Sequence, residues 1–537
     1  MSAGTSQTGF SLRTLARSAA VLTGGTAAAQ GIAILRELFV ASQVGVSSAY
    51  DAVLIALIIP TTLAALTTSG LATALIPAYV ALQQEQGRPQ ASRLASMIVT
   101  WVSLATILMA VVLVVAAGPL VTLVGPGLSA EAHAQSVNYL VLLSPVVVVL
   151  GLTAILNVIC QAEGRFGMMA WAAFLGPATA FAFMLLRWDA SGLQALVEAN
   201  VIGPAITVVM LFLGTLRASV RLRPTMVARD LGVRALVRHA APLTVSSAVL
   251  QLTVVADRAI ASLIAPGAVS ALRYAEVLVR LPIGAIGPAW GNAVYPTLVR
   301  ATHSAGVDTL GSVTMRLLRL TIIAFLPIAA LTIAVAPAAV GVAYGRGAFT
   351  SADLMTTAQV VAAFAPLIVL LMVNPVIVDS LNARRRGAVL LAGGIANAVI
   401  NAVLDVVFGL TIGVAGIALA TSCTITIVLF VVLAPNLARS EPEFSLRALA
   451  RPVARAFVAL LPGTLLFGAL AWSGMAPTEG LGALAFLALA GVAGLAIYAG
   501  LAIRLGLEEP TAFVAAIRSR LARGSAPTGS PSGDHAR

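Results

Sequence analysis

Apolar stretches about twenty residues long follow one another along almost the whole chain, broken only by short polar turns. A helix of roughly that length crosses the hydrocarbon core of a bilayer. Fourteen such stretches are expected, at roughly 16–43, 49–82, 94–124, 136–160, 164–186, 194–217, 236–264, 270–300, 312–340, 353–381, 385–409, 412–437, 450–474 and 480–505. Each is read as a helix, because in lipid a helix satisfies its own backbone hydrogen bonds. Composition agrees: of 537 residues 59% are hydrophobic and 10% charged, against roughly 25% charged in a soluble domain. The expected fold class is therefore an all-α polytopic membrane protein. Arg13 and Arg17 ahead of an apolar run, with Ala27 and Ala29 in it, also fit a cleaved signal peptide, but the run continues past Arg36 and further apolar stretches follow.

The 32 basic residues are all arginine, and they collect in alternate loops. Arg13 and Arg17 precede the first stretch, Arg88 and Arg93 follow the second, and Arg165 follows the fourth. Arg217, Arg221, Arg223, Arg229, Arg234 and Arg238 lie between the sixth and seventh, and Arg384, Arg385 and Arg386 after the tenth. Arg447, Arg451 and Arg455 follow the twelfth, and Arg504, Arg518, Arg520 and Arg523 the last, whereas the opposite loops hold little beyond Arg187 and Arg346. The excess of arginine on one side makes that side, with both termini, cytoplasmic. Net charge of +12 then reads as attraction to anionic lipid headgroups, since no soluble domain or aromatic-interleaved basic patch points to nucleic acid. Cys160 and Cys423 lie near or within apolar runs, and His133, His239, His303 and His535 show no ligand spacing, so neither a disulfide nor a metal site is expected.

A shift of 222 residues superposes Arg36 on Arg258, Gly45 on Gly267, Ser48 on Ser270, Ala49 on Ala271 and Pro60 on Pro282. The first stretch thereby falls on the seventh and the second on the eighth, as two homologous bundles of six would, in a parallel repeat. The expected organisation is a cytoplasmic arm at 1–15, a six-helix lobe at 16–217, a basic linker at 218–235, a second lobe at 236–437, two further helices at 450–505 and a disordered Gly/Ser/Pro-rich tail at 524–537.

Charge inside an apolar helix is expensive, and it marks a pathway, a pair or a substrate site. In "ALRYAEVLVRLP", Arg273, Glu276 and Arg280 share one helical face, with Tyr274 beside them. Arg36 and Glu37 in the first stretch, Asp51 opening the second, and Asp257 with Arg258 in the seventh add to a ring of charges drawn from the first two helices of each half. A planar guanidinium can hold phosphate oxygens bidentately, so such a ring fits an anionic headgroup. The alternatives are that Arg36 and Arg258 snorkel or pair locally with Glu37 and Asp257, and that Arg280 is interfacial. Asp405 and Asp379 could couple transport to H+ or Na+, or act as capping carboxylates. Pro60, Pro77, Pro282, Pro296 and Pro375 could kink gating helices, and Gly70 and Gly291 could allow close helix packing, though both residue types are common in membrane helices. No cofactor is expected.

"LRELFVASQVGVSSAYDAVLIALIIP", "DRAIASLIAPGAVSALRYAEVLVRLPIGAIGPAWGNAVYPTLVR", "AYGRGAFTSADLM" and "NAVINAVLDVVFGLTIGVAGIALATS" together resemble the MurJ/MviN family, the lipid II flippases of the multidrug/oligosaccharidyl-lipid/polysaccharide exporter superfamily. The resemblance runs from about residue 20 to 505, and the second stretch is its most specific part. It implies fourteen helices, two six-helix lobes around a cationic cavity, a lipid-tail groove at the last two helices, and transport of an undecaprenyl-diphosphate-linked precursor. In some members it also implies ion or membrane-potential coupling. Arg36, Glu37 and Asp51 match the family's charged positions, but its other first-helix arginine falls on Gln30, its second-helix arginine on Ala64 and the glutamate beyond it on Ser69. The acid of its tyrosine-alanine-acid run is Glu276, and the arginine after it is Val277.

The function expected is a flippase of the bacterial inner membrane that carries lipid II outward by alternating access, without covalent chemistry. Its partners would be the lipid-linked glycan, membrane lipids and cell-wall synthesis proteins, with no nucleic acid. Export of another lipid-linked oligosaccharide or exopolysaccharide precursor is the alternative that the missing arginines favour, and a non-transporting scaffold for cell-wall assembly is the third.

Overall fold

The computed structural model describes residues 12–226, 233–302 and 309–509. The start of the expected N-terminal arm, part of the basic linker and the tail at 524–537 lie outside them. Every regular element is helical: α1 (Leu12–Val44), α2 (Ser48–Gln86), α3 (Arg88–Val115), α4 (Ala117–Val124), α5 (Ala130–Ala162), α6 (Phe166–Ser191), α7 (Leu193–Arg217), α8 (Val233–Ile264), α9 (Ala268–Ala301), α10 (Leu310–Tyr344), α11 (Ser351–Phe364), α12 (Leu367–Ala383), α13 (Gly387–Ile412), α14 (Val414–Ile427), α15 (Ala434–Ala438), α16 (Leu446–Trp472) and α17 (Gly480–Arg504). A π-helical turn, Val428–Leu433, joins α14 to α15.

The expected apolar stretches fall on these helices in order. Three of them are interrupted, at Ala116 between α3 and α4, at Ala365 and Pro366 between α11 and α12, and at the π turn. Among the described residues, eleven helical stretches are long and apolar enough to cross a membrane. Their outer faces carry Leu108 on α3, Leu410 on α13 and Leu481 on α17, which are 65%, 75% and 83% exposed. Leaving such a side chain in water forgoes roughly 1.5–3 kcal/mol, so faces built of them are stable against lipid and not against water.

Polar residues at the turns end and start the helices. Ser47 caps α2, its hydroxyl accepting from the Tyr50 amide at 3.3 Å, and Ser129 caps α5 in the same way through Ala132 at 3.2 Å. Two turns related by the 222-residue repeat each carry a glycine in the left-handed region, Gly45 at φ 57° and Gly267 at φ 85°, where an L side chain would be strained.

The chain forms two compact units. The first contains residues 1–277, 343–360 and 391–424. Within it α2 packs along α5, α3 and α8, while α6 packs on α7 and α1. α6 and α7 approach at small residues: a Cβ at Gly203 would stand 2.8 Å from the Ala180 Cβ, the small-residue contact that draws helices together in lipid. At one end of the core shared by α2, α3 and α5, the buried carboxylate of Glu163 accepts from the Tyr79 hydroxyl at 2.7 Å and the Gln83 amide at 2.9 Å.

The second unit contains 278–342, 361–390 and 425–537. α16 and α17 form a hairpin there and share a core with Ile323 of α10. Tyr498 donates to the Ile323 carbonyl at 2.8 Å and Trp472 to that of Ile333 at 3.0 Å.

Candidate substrate-binding site

α1, α2, α7, α8 and α9 bring charge together inside the first unit. A cavity of about 310 Å³ is lined by Arg36, Arg258, Arg273 and Glu276, with Tyr50, Asn200 and Thr61 as further polar neighbours and Val53, Leu54, Leu57 and Ile58 as an apolar wall. Three guanidinium groups against one carboxylate make its lining net positive.

Adjacent residues on a helix project about 100° apart, and the local pairing that stood as the alternative reading does not form. Arg36 turns to the cavity and donates to Asn200 Oδ1 at 3.3 Å. Glu37 turns away, is 1% exposed, and accepts from the Tyr50 hydroxyl at 2.7 Å. Its ionic partner is Arg273, at 3.5 Å. Asp257 and Arg258 diverge likewise: Arg258 pairs with Glu276 at 2.8 Å, while Asp257 accepts from Asn401 at 2.7 Å. The pairs therefore run between helices, which fixes the two arginines in place and leaves them at the cavity wall.

Asp51 and Tyr274 are buried beside the cavity and are not among its lining residues. Asp51 accepts from the backbone amides of Gly267 and Ser270 at 2.6 and 2.7 Å, which ties α2 to the start of α9. Tyr274 donates to the Gly45 carbonyl at 3.0 Å, returning the contact across the repeat. The Ser47 amide donates to the Ser270 hydroxyl at 3.3 Å. Tyr50 and Tyr274 stack at 5.5 Å, and Tyr344 and Phe349 close the aromatic group. The turn before α11 docks on the end of α1, the Ala348 amide donating to the Ser42 carbonyl at 2.8 Å.

A second polar group lies on α8 and α13. Asn401 donates to both Asp257 and Asp405, and Asp405 Oδ1 is buried without a hydrogen-bond partner among the described residues. Pro60, Gly70 and Pro77 lie on α2, which continues through both prolines. The second unit holds the remaining candidates: Arg280 with an exposed side chain, half-buried Asp379 on α12, and Pro282, Gly291 and Pro296 within a continuous α9. The close approach expected at Gly291 is absent among the described residues, since a Cβ built there meets nothing within 4 Å. Among the described residues no three His, Cys, Asp or Glu side chains gather as a metal site.

Asn200, Asn401 and Tyr50 join the site without any motif that marks them in the sequence. Asn401 stands four residues before Asp405, one helical turn away, which is the signal that could have found it.

A family model described as lipid II flippase MurJ matches residues 40–488. The chain belongs to the MurJ family. Among its relatives, the probable lipid II flippase MurJ of Rickettsia prowazekii (strain Madrid E) is 24% identical over 359 residues, 66% of this chain and 70% of that one. The lipid II flippase MurJ of Burkholderia cenocepacia is 26% identical over 300 residues, 53% of this chain and 57% of its own. In fold, the chain is similar to a solved structure of the lipid II flippase MurJ in an inward closed conformation, with a TM-score of 0.74 at 20% identity, covering 89% of this chain and 97% of that one. It is also similar to an inward-facing multidrug resistance MATE family transporter, with a TM-score of 0.65 at 14% identity over 77% of this chain and 94% of that one. MurJ-family proteins are transporters rather than enzymes, and this member is a multi-pass membrane protein.

Proposed function

We propose that this MurJ-family chain carries lipid II from the inner to the outer leaflet of the bacterial inner membrane, holding the diphosphate at Arg36, Arg258 and Arg273 while the isoprenoid tail stays in lipid. The observation that carries this reading is the positive cavity of the first unit, where three arginines meet one carboxylate. Each arginine has a partner that orients it and spare donors with which to grip phosphate oxygens. Glu37, Tyr50 and Glu276 are positioning residues that hold Arg273 and Arg258. No bond in the cargo is made or broken.

In this reading all fourteen helical stretches cross the membrane, both termini are cytoplasmic, and the halves 16–217 and 236–437 rock about the cargo. The turns at Gly45 and Gly267 then lie on the outer side. Their reciprocal bonds through Asp51, Tyr274 and Ser270 would have to part for the headgroup to leave outward. The α16–α17 hairpin would border the tail. Asp257, Asn401 and Asp405 are suited to a coupling ion: two carboxylates share one amide donor, and a buried carboxylate oxygen without a donor is relieved by a proton or a monovalent cation.

The test is transport of lipid II by purified protein in proteoliposomes. Replacing Arg36 or Arg273 by Ala should slow it roughly tenfold or more, the scale of one lost charge-assisted hydrogen bond. Unchanged transport at matched protein amount would remove that residue from the mechanism. A second cargo, another lipid-linked glycan, is favoured by the uncharged Gln30, Ala64 and Val277 where the family resemblance leads one to expect arginine. Preference of the same vesicles for that glycan over lipid II would establish it.

A further inference from the structure

The first unit contains another cavity, of about 400 Å³, set among α3, α5, α7 and the start of the linker. Its wall is almost wholly apolar, with Val99, Leu152, Leu156, Val208 and Leu222 in it. Two further lining residues, Leu104 and Phe212, are 47% and 41% exposed, so the cavity opens on the side where α3 presents Ile107 and Leu108 outward.

The linker closes one end as an extended strap. Ser96 and Thr100, one helical turn apart on α3, hold it through their hydroxyls. Ser96 Oγ accepts from the Arg223 amide at 3.1 Å, and its single proton lies between the Ser92 carbonyl at 2.7 Å and the Arg221 carbonyl at 3.2 Å. Thr100 Oγ1 accepts from the Thr225 amide at 3.2 Å. Side chains alternate along an extended segment. Val220 and Leu222 therefore turn into the core, while Arg221 and Arg223 are exposed. Neither arginine has an ion-pair partner among the described residues, and Arg223 also lines the cavity.

We propose that this cavity and strap form a binding site for an anionic glycerophospholipid, one acyl chain in the cavity and its phosphate at Arg223 and Arg221. An apolar slot that opens on a lipid-facing helix surface takes a hydrocarbon chain. Two guanidinium groups at its end, without an ion-pair partner among the described residues, supply the complement for a phosphate. By the orientation proposed above, the strap is cytoplasmic and the lipid comes from the inner leaflet. Because the strap continues into the linker between the two homologous halves, a bound lipid would pin that linker to α3. The site is separate from the arginine cavity and does not depend on the identity of the cargo.

The experiment is native mass spectrometry of the purified full-length protein titrated with palmitoyl-oleoyl phosphatidylglycerol, and in parallel with phosphatidylcholine bearing the same chains. Wild type should retain one phosphatidylglycerol roughly tenfold more tightly than phosphatidylcholine, the scale of two arginines near a phosphate. Arg221→Gln with Arg223→Gln should erase that preference, with phosphatidylglycerol retention falling further than that of phosphatidylcholine, whose phosphate is already countered by its own choline charge. Ser103→Trp, which fills the cavity, should weaken retention of both. Equal retention of the two lipids by wild type, or an unchanged preference in the double arginine variant, would overturn the proposal. So would competition by glycerol phosphate as effective as that of the intact lipid, which would mark a headgroup-only anion site, or displacement by lipid II at equal concentration, which would make the slot part of the cargo path. Loss of lipid II transport in Arg36→Ala with phosphatidylglycerol retention intact separates this site from the flippase reading.

Discussion

At the residue scale, the cavity is organised by two carboxylates that aim arginines, buried Glu37 and half-buried Glu276. Glu37 holds Arg273 and accepts from Tyr50, so Glu37→Ala strands a buried hydroxyl and an ionic partner together. A stability loss of about 2–4 kcal/mol is expected, measured as the fall in unfolding temperature of the detergent-purified protein. In a double-mutant cycle Glu37→Gln and Arg273→Gln should be non-additive, because they remove one shared interaction; strict additivity would mean that the pair is not coupled. That Arg36 and Arg258 face one cavity was legible from the sequence, through the repeat and the cost of charge in lipid. Their partners were not: neighbouring charges in sequence suggest a local pair, whereas on a helix they diverge, and the partners arrive from α7 and α9. Asn200 is not legible in the sequence, because a single amide in an apolar run carries no motif.

Helix ends decide how these residues are held. Gly267 sits at φ 85°, and a Cβ there would stand 2.6 Å from Val46 Cγ1, so Gly267→Ala should destabilise the protein by more than about 1 kcal/mol. Asp51→Asn keeps the size of the side chain but weakens two charge-assisted bonds to the α9 amides, with an expected cost of about 1–2 kcal/mol. The same substitution should raise labelling of a cysteine placed at Ser48 in sealed vesicles if these turns part during transport. Unchanged labelling would make the contact static. The helices themselves could be read from apolar length alone. The breaks at Ala116 and Pro366 and the π turn at Val428–Leu433 could not, since residues of the same apolar character lie on either side of each, and tertiary packing decides where the hydrogen-bond register slips.

Across the whole molecule, family membership and a cationic cavity converge on transport of an anionic lipid-linked headgroup, and the proposed coupling role of the Asp257–Asn401–Asp405 group is tested separately. Asp405→Asn should leave the protein folded and reduce the dependence of lipid II transport on a Na+ or H+ gradient in proteoliposomes; a variant that responds to both gradients as wild type does would exclude this group from coupling. The measurement that bears most directly on the account is exposure of lipid II at the outer face of spheroplasts depleted of the native protein and complemented in turn by wild type and by a variant with Arg36, Arg258 and Arg273 all changed to Gln. Wild type should restore exposure, and the triple variant, present at equal amount in the membrane, should leave lipid II confined to the inner leaflet while its synthesis continues. Full restoration by the triple variant would contradict the account, because the cavity arginines would then have no part in moving the diphosphate.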